Sequence, residues 1–344
     1  MNPAVLVTGG AGFIGSHTSK LLWRAGYQPV VYDNLVNGNR WAVKWGPFVE
    51  GDLADPAILR RTLREYSIKA VIHFAAYAYV GESMRAAGKY FSNNVINTLN
   101  LLEAMRETGV RHIVFSSSCA TYGIPSRLPI AETEPQSPIS PYGETKLMAE
   151  KALRWYGEVH GFRWAALRYF NAAGADPEGE IGEHHDPETH LIPLVIQTAL
   201  GQRPQVEIFG TDYPTPDGTA LRDYIHVTDL ADAHVRALEH LLAGGECAPF
   251  NLGTGSGHSV LDVIRTVERL SGRELALRTS PRREGDPAVL VADPARAGRV
   301  LGWEPRFAGL SDIVRTAWSW HARPASPVAG HAPALELANG AAPR

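Results

Sequence analysis

Cysteine is nearly missing from this 344-residue chain, which has only Cys119 and Cys247, far apart in sequence. That scarcity argues against a disulfide framework and suits a reducing compartment, with both thiols expected as small core residues. Long hydrophobic runs are missing as well, and no segment approaches the roughly 20 apolar residues of a membrane span. Excess charge of one sign is also absent: 33 Lys and Arg face 36 Asp and Glu, leaving a net charge of −3. No basic field therefore recruits nucleic acid or an anionic membrane. The opening "MNPAVLVTGG" lacks a basic n-region and runs straight into a strand-like segment, so no secretory signal is expected. No internal repeat is evident. What remains is a 44% hydrophobic, 20% charged chain with material for a large core. Its length suggests about two domains. A cytoplasmic enzyme or binding protein is the expectation.

The first half alternates short β-branched runs with helical patterns, which predicts an α/β fold with a doubly wound parallel sheet. "AVLVT" (4–8), "PVVYD" (29–33), "AVIHFAA" (70–76) and "HIVFSSS" (112–118) read as buried strands. Stretches such as "FIGSHTSKLLWRAG" and "NVINTLNLLEAMRETG" read as the intervening helices. "RWAALRYFNAAG" (163–174) supplies one more strand. Beyond it, residues 175–220 look loop-dominated, with one helix near "HLIPLVIQTALG"; "PFNLGTG" and "SVLDVIRTVERLSG" then belong to a smaller mixed α/β region. The expected division is residues 1–173 as a nucleotide-binding domain and 174–322 as a substrate-binding domain, with the chain free to cross between lobes. Residues 323–344 are Ala/Pro/Gly-rich and are expected as a disordered tail.

Strand one runs into "TGGAGFIG", where Gly9, Gly12 and Gly15 recur at three-residue spacing before an apolar helix. Glycine is needed there because a tight turn must bring backbone N–H groups up to a pyrophosphate at a helix N-terminus. A lone glycine motif is weak. This one follows a strand, opens a helix and lies in the first βαβ unit, the context of a Rossmann-type dinucleotide site. Asp33 ends the second strand 18 positions after Gly15. A carboxylate there accepts both hydroxyls of an adenosine ribose and repels a 2′-phosphate, favouring NAD over NADP. The plainer alternative is that Asp33 only caps a turn before Asn34. "GDL" (51–53) is placed to bracket an adenine, and "HFAA", with Phe74, Ala75 and Ala76, to pass beneath the pyrophosphate.

"HIVFSSS" ends in Ser116, Ser117 and Ser118 at the carboxyl edge of a parallel sheet, where ligands bind in doubly wound folds. Twenty-four residues later comes Tyr142, then Lys146, with Ser140 suited to cap their helix and Pro141 to begin it. On a helix this spacing puts Tyr142 and Lys146 on one face. Taken alone, such a pair is usually a solvated surface contact. Behind a nucleotide motif and a serine-tipped strand it reads as an acid–base group. A phenol of pKa near 10 needs positive charge close by to serve as a base, and Lys146 and a nicotinamide would supply it. Ser118 is placed to bond the same substrate oxygen.

These residues resemble the extended short-chain dehydrogenase/reductase superfamily, and most closely the UDP-glucose 4-epimerases. The resemblance covers about residues 4–320, through "VLVTGGAGFIGSHT", "YDNL", "EGDL", "VIHFAA", "VGES", "NNV", "FSSS", "SPYGETK", "LRYFN", "NLGTG" and "RREGD". Its most specific block is "FGTDYPTPDGTALRDYIHVTDLADAHV", because simple reductases of the superfamily lack it. The resemblance implies a tightly held NAD and a UDP-sugar substrate oxidised at C4 to a keto sugar, then reduced on its other face. Tyr142 is implied as the base, Lys146 as the group that tunes it and holds the nicotinamide ribose, and Ser118 as the group that orients the 4-oxygen. Phe13, Ile14, Asn34, Asn37, Asp52, Leu53, Asn93, Ser116 and Tyr169 are implied to line the cofactor. Asn171, His190, Leu191, Phe209, Arg222, Arg283 and Asp286 are implied to hold the UDP-sugar. Guanidinium groups suit a diphosphate, although an arginine in a loop is by default a solvent-facing charge and Phe209 by default core.

Two departures from the family pattern stand out. Ala78 replaces a lysine that many of these epimerases place near the cofactor. Leu290 stands where a tyrosine excludes N-acetyl sugars and a small residue admits them, so N-acetylhexosamine acceptance stays open. Sugar-nucleotide dehydratases and decarboxylases of this fold carry a carboxylate just after the hydroxyl; Cys119 and Ala120 stand there instead. A UDP-xylose/UDP-arabinose 4-epimerase fits "SSSCATYG" and "DPEGEIGE" equally well. A non-catalytic NAD-binding scaffold is disfavoured by the intact Ser–Tyr–Lys set. "GEIGEHHDPETH" (179–190) gathers three His and several acids, but its spacing fits no structural zinc pattern. It is expected as a solvated loop, with no metal. The resemblance implies a homodimer paired through the Tyr–Lys helix and its predecessor, which apolar stripes on "LMAEKALRWYGEV" would permit.

Overall fold

The computed structural model describes residues 2–283 and 286–323; the expected tail, from residue 324 on, lies outside them. Arg323, assigned to that tail from sequence, is held by its guanidinium on the Gly179 carbonyl.

Short β-branched runs buried on both faces dictate a parallel sheet. Seven strands form it, in the order Ala248–Leu252, Arg163–Tyr169, His112–Ser118, Ala70–His73, Ala4–Thr8, Gln28–Asp33, Phe48–Glu50, and every pairing is parallel. Alternate residues serve opposite faces. Val5, Val7, Ile72, Val114, Leu167 and Phe250 pack under helices Phe13–Arg24 and Val227–Leu242. Leu6, Tyr32, Val71, Ile113, Phe115 and Ala166 pack under Pro56–Glu65, Asn97–Thr108 and Pro141–His160. A separate core forms the second lobe, where helices Leu191–Ala199, Val260–Ser271 and Leu310–His321 bury Ile196, Val263 and Ile313 against the paired strands Val206–Phe209 and Leu277–Ser280.

The expected organisation departs from this structure at two places. The predicted strand 163–174 breaks at Phe170: Arg163–Tyr169 stays in the main sheet, while Asn171–Ala173 leaves it to pair with Tyr224–His226. "PFNLGTG", assigned from sequence to the second region, returns to the first lobe as the sheet's edge strand, and Val227–Leu242 covers that sheet. The chain thus crosses between cores beyond Ala173 more than once.

The register brings the carboxyl ends of the strands to one edge. Thr8 is level with Tyr32 and His73, and Ser118 with Tyr169 and Leu252. After Ala4–Thr8 the chain winds outward through Gln28–Asp33 and Phe48–Glu50, then returns to the other side at Ala70–His73. That reversal is the topological switch point at which ligands bind in such sheets. No helix among the described residues is long and apolar enough to cross a membrane.

Candidate active site

The glycine turn is built as the pattern requires. Helix Phe13–Arg24 begins at Gly12, extended in backbone and without a side-chain cap, so its first N–H groups have no intrahelical acceptor. Gly9 adopts φ +71°, and a Cβ there would meet Ala75 N at 2.6 Å; a Cβ at Gly15 would meet Gly9 O at 2.3 Å. Those contacts leave space only for glycine and bring Phe74–Ala76 against the turn, where the amides of Phe74 and Ala75 bond to the Thr8 carbonyl. Asp33 is buried at the end of its strand, accepting from Ala11 N at 3.0 Å and Leu35 N at 2.8 Å. Burial pushes its carboxyl above the usual range while these amides pull it back. The turn-capping role and a ribose-binding role are thus compatible, since each oxygen keeps a lone pair. Asn34 donates to Asp52 at 2.8 Å beside buried Leu53, whereas Asn37 is exposed. A backbone cradle, a free helix N-terminus and a carboxylate at this spacing fit a dinucleotide.

At the adjacent strand end, Ser118, Tyr142 and Lys146 are 8%, 7% and 4% exposed, so the pair is not a surface contact. Ser140 caps the 20-residue helix Pro141–His160 through Gly143 N at 3.2 Å, with Pro141 in its first turn. Lys146 donates to the Ser116 carbonyl at 2.7 Å and lies 5.9 Å from the Tyr142 ring centre. Ser116 Oγ bonds Tyr169 OH at 2.7 Å. Burial opposes the expected pull of Lys146 on the phenol. Burial pushes Tyr142 well above its ordinary value, with the Ser118 hydroxyl drawing it back, and pushes Lys146 down to about 7 against the pull of Glu150. Among the chain's own groups, desolvation outweighs the attraction.

Residues that sequence reasoning passed over hold this centre. Glu150, one turn beyond Lys146, is buried with Arg168 and accepts from its Nε at 2.9 Å and from Ser117 Oγ. Arg168 thereby ties the helix to strand Arg163–Tyr169, and Ser117 ties it to the strand bearing Ser118. Opposite charges at two inward positions of separate elements were the only available signal. Asn94 was missed in favour of Asn93: it bonds both backbone groups of Tyr77 at 2.9 Å and reaches Thr145 at 3.1 Å, fixing the cofactor-side loop to the Tyr–Lys helix.

The second-lobe residues fall on short elements. Arg222 sits on the two-residue strand Leu221–Arg222, between His258–Ser259 and Val289–Leu290, rather than in a loop, and its guanidinium pairs with Asp286. Arg283 lies 4.1 Å over the Phe209 ring. Leu290 packs against Cys119, Tyr122, Ile130, Phe170 and Ala292, which brings the second lobe to the residue next to Ser118. Asn171 donates its amide to Asp223 O at 3.0 Å, while buried Asp223 accepts from Thr254, Gly255 and Ala292 and fixes the loop after Leu252. His190 is half exposed and Leu191 opens the next helix.

The expectation of a solvated loop at 179–190 is met only in part: Glu180, His184, Asp186, Pro187, Thr189 and His190 are exposed. Glu183 is nevertheless 2% exposed and the Glu188 side chain 4%, because the segment folds against Trp320 and Tyr79. Against a burial that pushes it up, the charges of His190 and His185 hold Glu183 at about 2. Burial pulls His185 down, but Glu183 and Glu188 lift it to about 10.

The chain's likeness to known proteins runs along its whole described length. The model of the NAD dependent epimerase/dehydratase family matches residues 5–253. The UDP-glucose 4-epimerase of Rhizobium meliloti (strain 1021) is 52% identical over 322 residues, covering 94% of this chain and 98% of that one. The crystal structure of UDP-glucose 4-epimerase from Brucella ovis in complex with NAD superposes with a TM-score of 0.90 at 56% identity, covering 92% of this chain and 98% of that one. The Stenotrophomonas maltophila UDP-glucose-4-epimerase with bound NAD and formylated UDP-arabinopyranose gives 0.89 at 42% identity, covering 94% and 98%.

Proposed function

The chain belongs to the NAD-dependent epimerase/dehydratase family, and from that premise we propose that it is a UDP-glucose 4-epimerase interconverting UDP-glucose and UDP-galactose. The observation that carries this reading is the burial of Ser118, Tyr142 and Lys146 together at the strand edge beside the glycine turn. NAD supplies the acceptor and later the donor of the hydride at the sugar's C4. The chain's own part is proton handling and positioning. Tyr142 Oη takes the proton of the 4-hydroxyl and returns it, and Ser118 Oγ bonds the same oxygen. Because burial opposes a phenolate, Tyr142 ionises only with cations close by, and Lys146, 5.9 Å from its ring centre, is placed to be one. Gly9, Gly12, Phe13, Ile14 and Gly15 cradle the pyrophosphate, and Asp33 the adenosine ribose. Asn34, Asn37, Asp52, Leu53, Phe74, Ala75, Ala76, Asn93, Ser116 and Tyr169 complete the cofactor's surroundings.

The UDP-sugar is assigned to Asn171, His190, Leu191, Phe209, Arg222, Arg283, Asp286 and Leu290, with Arg222 exchanging Asp286 for the diphosphate. The division of labour follows the cores: the seven-stranded sheet and its helices for NAD, the second core for the nucleotide sugar. A homodimer in the cytoplasm completes the proposal. Its support is the apolar face of two adjacent helices, where Leu99, Met148, Trp155 and Val159 are 37%, 38%, 61% and 66% exposed. Trp155→Glu then gives a monomer by light scattering; an unchanged mass excludes this face.

The test of function is incubation of the purified protein, without added NAD, with UDP-glucose, UDP-GlcNAc and UDP-xylose, with mass balance on each. UDP-galactose from UDP-glucose with no net redox change supports the reading. Turnover of UDP-xylose alone moves it to the pentose enzyme, and no turnover of any sugar overturns it.

A further inference from the structure

The segment preceding helix Leu191–Ala199 holds four groups that the epimerase reading does not use as a set. Glu183, His185, Glu188 and His190 each offer one ligand atom, and these atoms lie within 4.8 Å of one another. His185 Nδ1 is 3.4 Å from Glu183 Oε1 and 3.6 Å from a Glu188 oxygen, and it is buried without a hydrogen-bond partner. His190 Nδ1 meets the same Glu183 oxygen, which leaves Nε2 for the UDP-sugar assigned to this residue above. Ligands on a tetrahedral ion with bonds of ~2.1 Å are about 3.4 Å apart, so small rotamer adjustments bring all four onto one centre.

The donor chemistry narrows the cation. Two imidazoles with two carboxylates form a borderline set carrying two negative charges, which suits a divalent transition ion better than Mg2+ or Ca2+. The surroundings already orient these ligands. Glu188 Oε1, the oxygen that faces His185 Nδ1, accepts the amides of Thr189 at 2.7 Å and His190 at 2.8 Å, which fixes the carboxylate beside the cluster. Trp320 Nε1 donates to the Glu183 carbonyl at 2.9 Å, and the Tyr79 ring stands edge-on to His185.

We propose that Glu183, His185, Glu188 and His190 form a structural site for a divalent transition metal of the Zn2+ class. Four protein ligands close its coordination shell, so its role is to fix the 176–190 segment rather than to react. That segment straps the two lobes together. Asp176 pairs with buried Lys20 at 2.7 Å, Lys44 reaches the Glu180 carbonyl at 2.7 Å, and Asn39 reaches the His184 carbonyl at 3.2 Å.

The test is zinc titration of untagged, chelator-stripped, NAD-bound protein, read by calorimetry, bound-metal analysis and melting midpoint. The expected result is about one Zn2+ per chain, a raised midpoint, and binding weakened at least tenfold in both His185→Gln and Glu188→Gln, with Cys247→Ser unchanged. Retained NAD in each variant shows that it has folded. No uptake of Zn2+ at micromolar concentration overturns the proposal. So does uptake that neither His185→Gln nor Glu188→Gln weakens. None of these readouts depends on epimerase activity.

Discussion

Two sets of buried groups are held in opposite ways, although each lobe also holds exceptions, the Glu150–Arg168 pair in the first and His226, pushed down to about 3, in the second. Around the nucleotide site burial wins: His17, His73 and His234 are pushed down to about 4, 3 and 4, Lys146 down to about 7, and Tyr142 upward. In the strap and at Arg222 charge pairing wins: Glu183 is held at about 2, and Arg222 meets Asp286. The difference is one of task. A group kept neutral against its tendency responds sharply when a charged ligand arrives, whereas a charge already paired can trade its partner for a diphosphate. Perturbing the first lobe should therefore act on stability and turnover, and perturbing the second on substrate affinity.

The largest expected effect is acid destabilisation of the first lobe. His17, His73 and His234 have folded pKa values below the unfolded 6.5, so the unfolded chain binds protons that the folded chain refuses. Their contribution is intact above pH 6.5 and is lost as pH falls toward about 4, at up to ~1.4 kcal/mol per pH unit for each imidazole. Melting midpoints taken from pH 7 to 4.5 should fall steeply, and His73→Asn should flatten the slope. A flat profile would break the contrast between the lobes.

Next in size is Tyr142→Phe, expected to lower kcat by at least about a hundredfold while the bound-NAD content stays unchanged. Near-native turnover would remove Tyr142 from its role. Arg222→Leu should raise KM for UDP-glucose by about tenfold, the scale of one charge-assisted bond, with kcat within a few-fold. A loss confined to kcat would erase the proposed division. The smallest effect is expected at Leu290, half-buried against Cys119 and Phe170. Leu290→Ser should improve kcat/KM for UDP-GlcNAc relative to UDP-glucose by several-fold, and Leu290→Tyr should reverse it, as paired rate measurements would show.

What sequence reading placed where the structure has it is written in local pattern. The glycine turn, Asp33, the serine-tipped strand and the Tyr–Lys spacing each depend on a few neighbouring residues and on strand or helix periodicity. It failed where long-range pairing decides. Ala248–Leu252 contains a proline and an asparagine and gives no sign that it will lie beside Arg163–Tyr169, where Ala248 pairs with Ala165, 83 residues earlier. Glu150 and Arg168 look like ordinary surface charges until the helix and strand bury them together. Glu183 and His185 look like solvated loop residues because nothing local reveals that Trp320 and Tyr79 will pack against them. Such burial is a tertiary event, and composition carries no trace of it.

The central claim is that a hydride leaves C4 and returns to the same sugar while Tyr142 handles the proton. It is tested most directly by mixing UDP-galactose deuterated at C4 with UDP-galactose carrying carbon-13 in its ring, and analysing the UDP-glucose formed. The account predicts UDP-glucose that keeps its deuterium at C4, with no molecule carrying both labels. Loss of deuterium to water, or its appearance on the carbon-13 sugar, would contradict it.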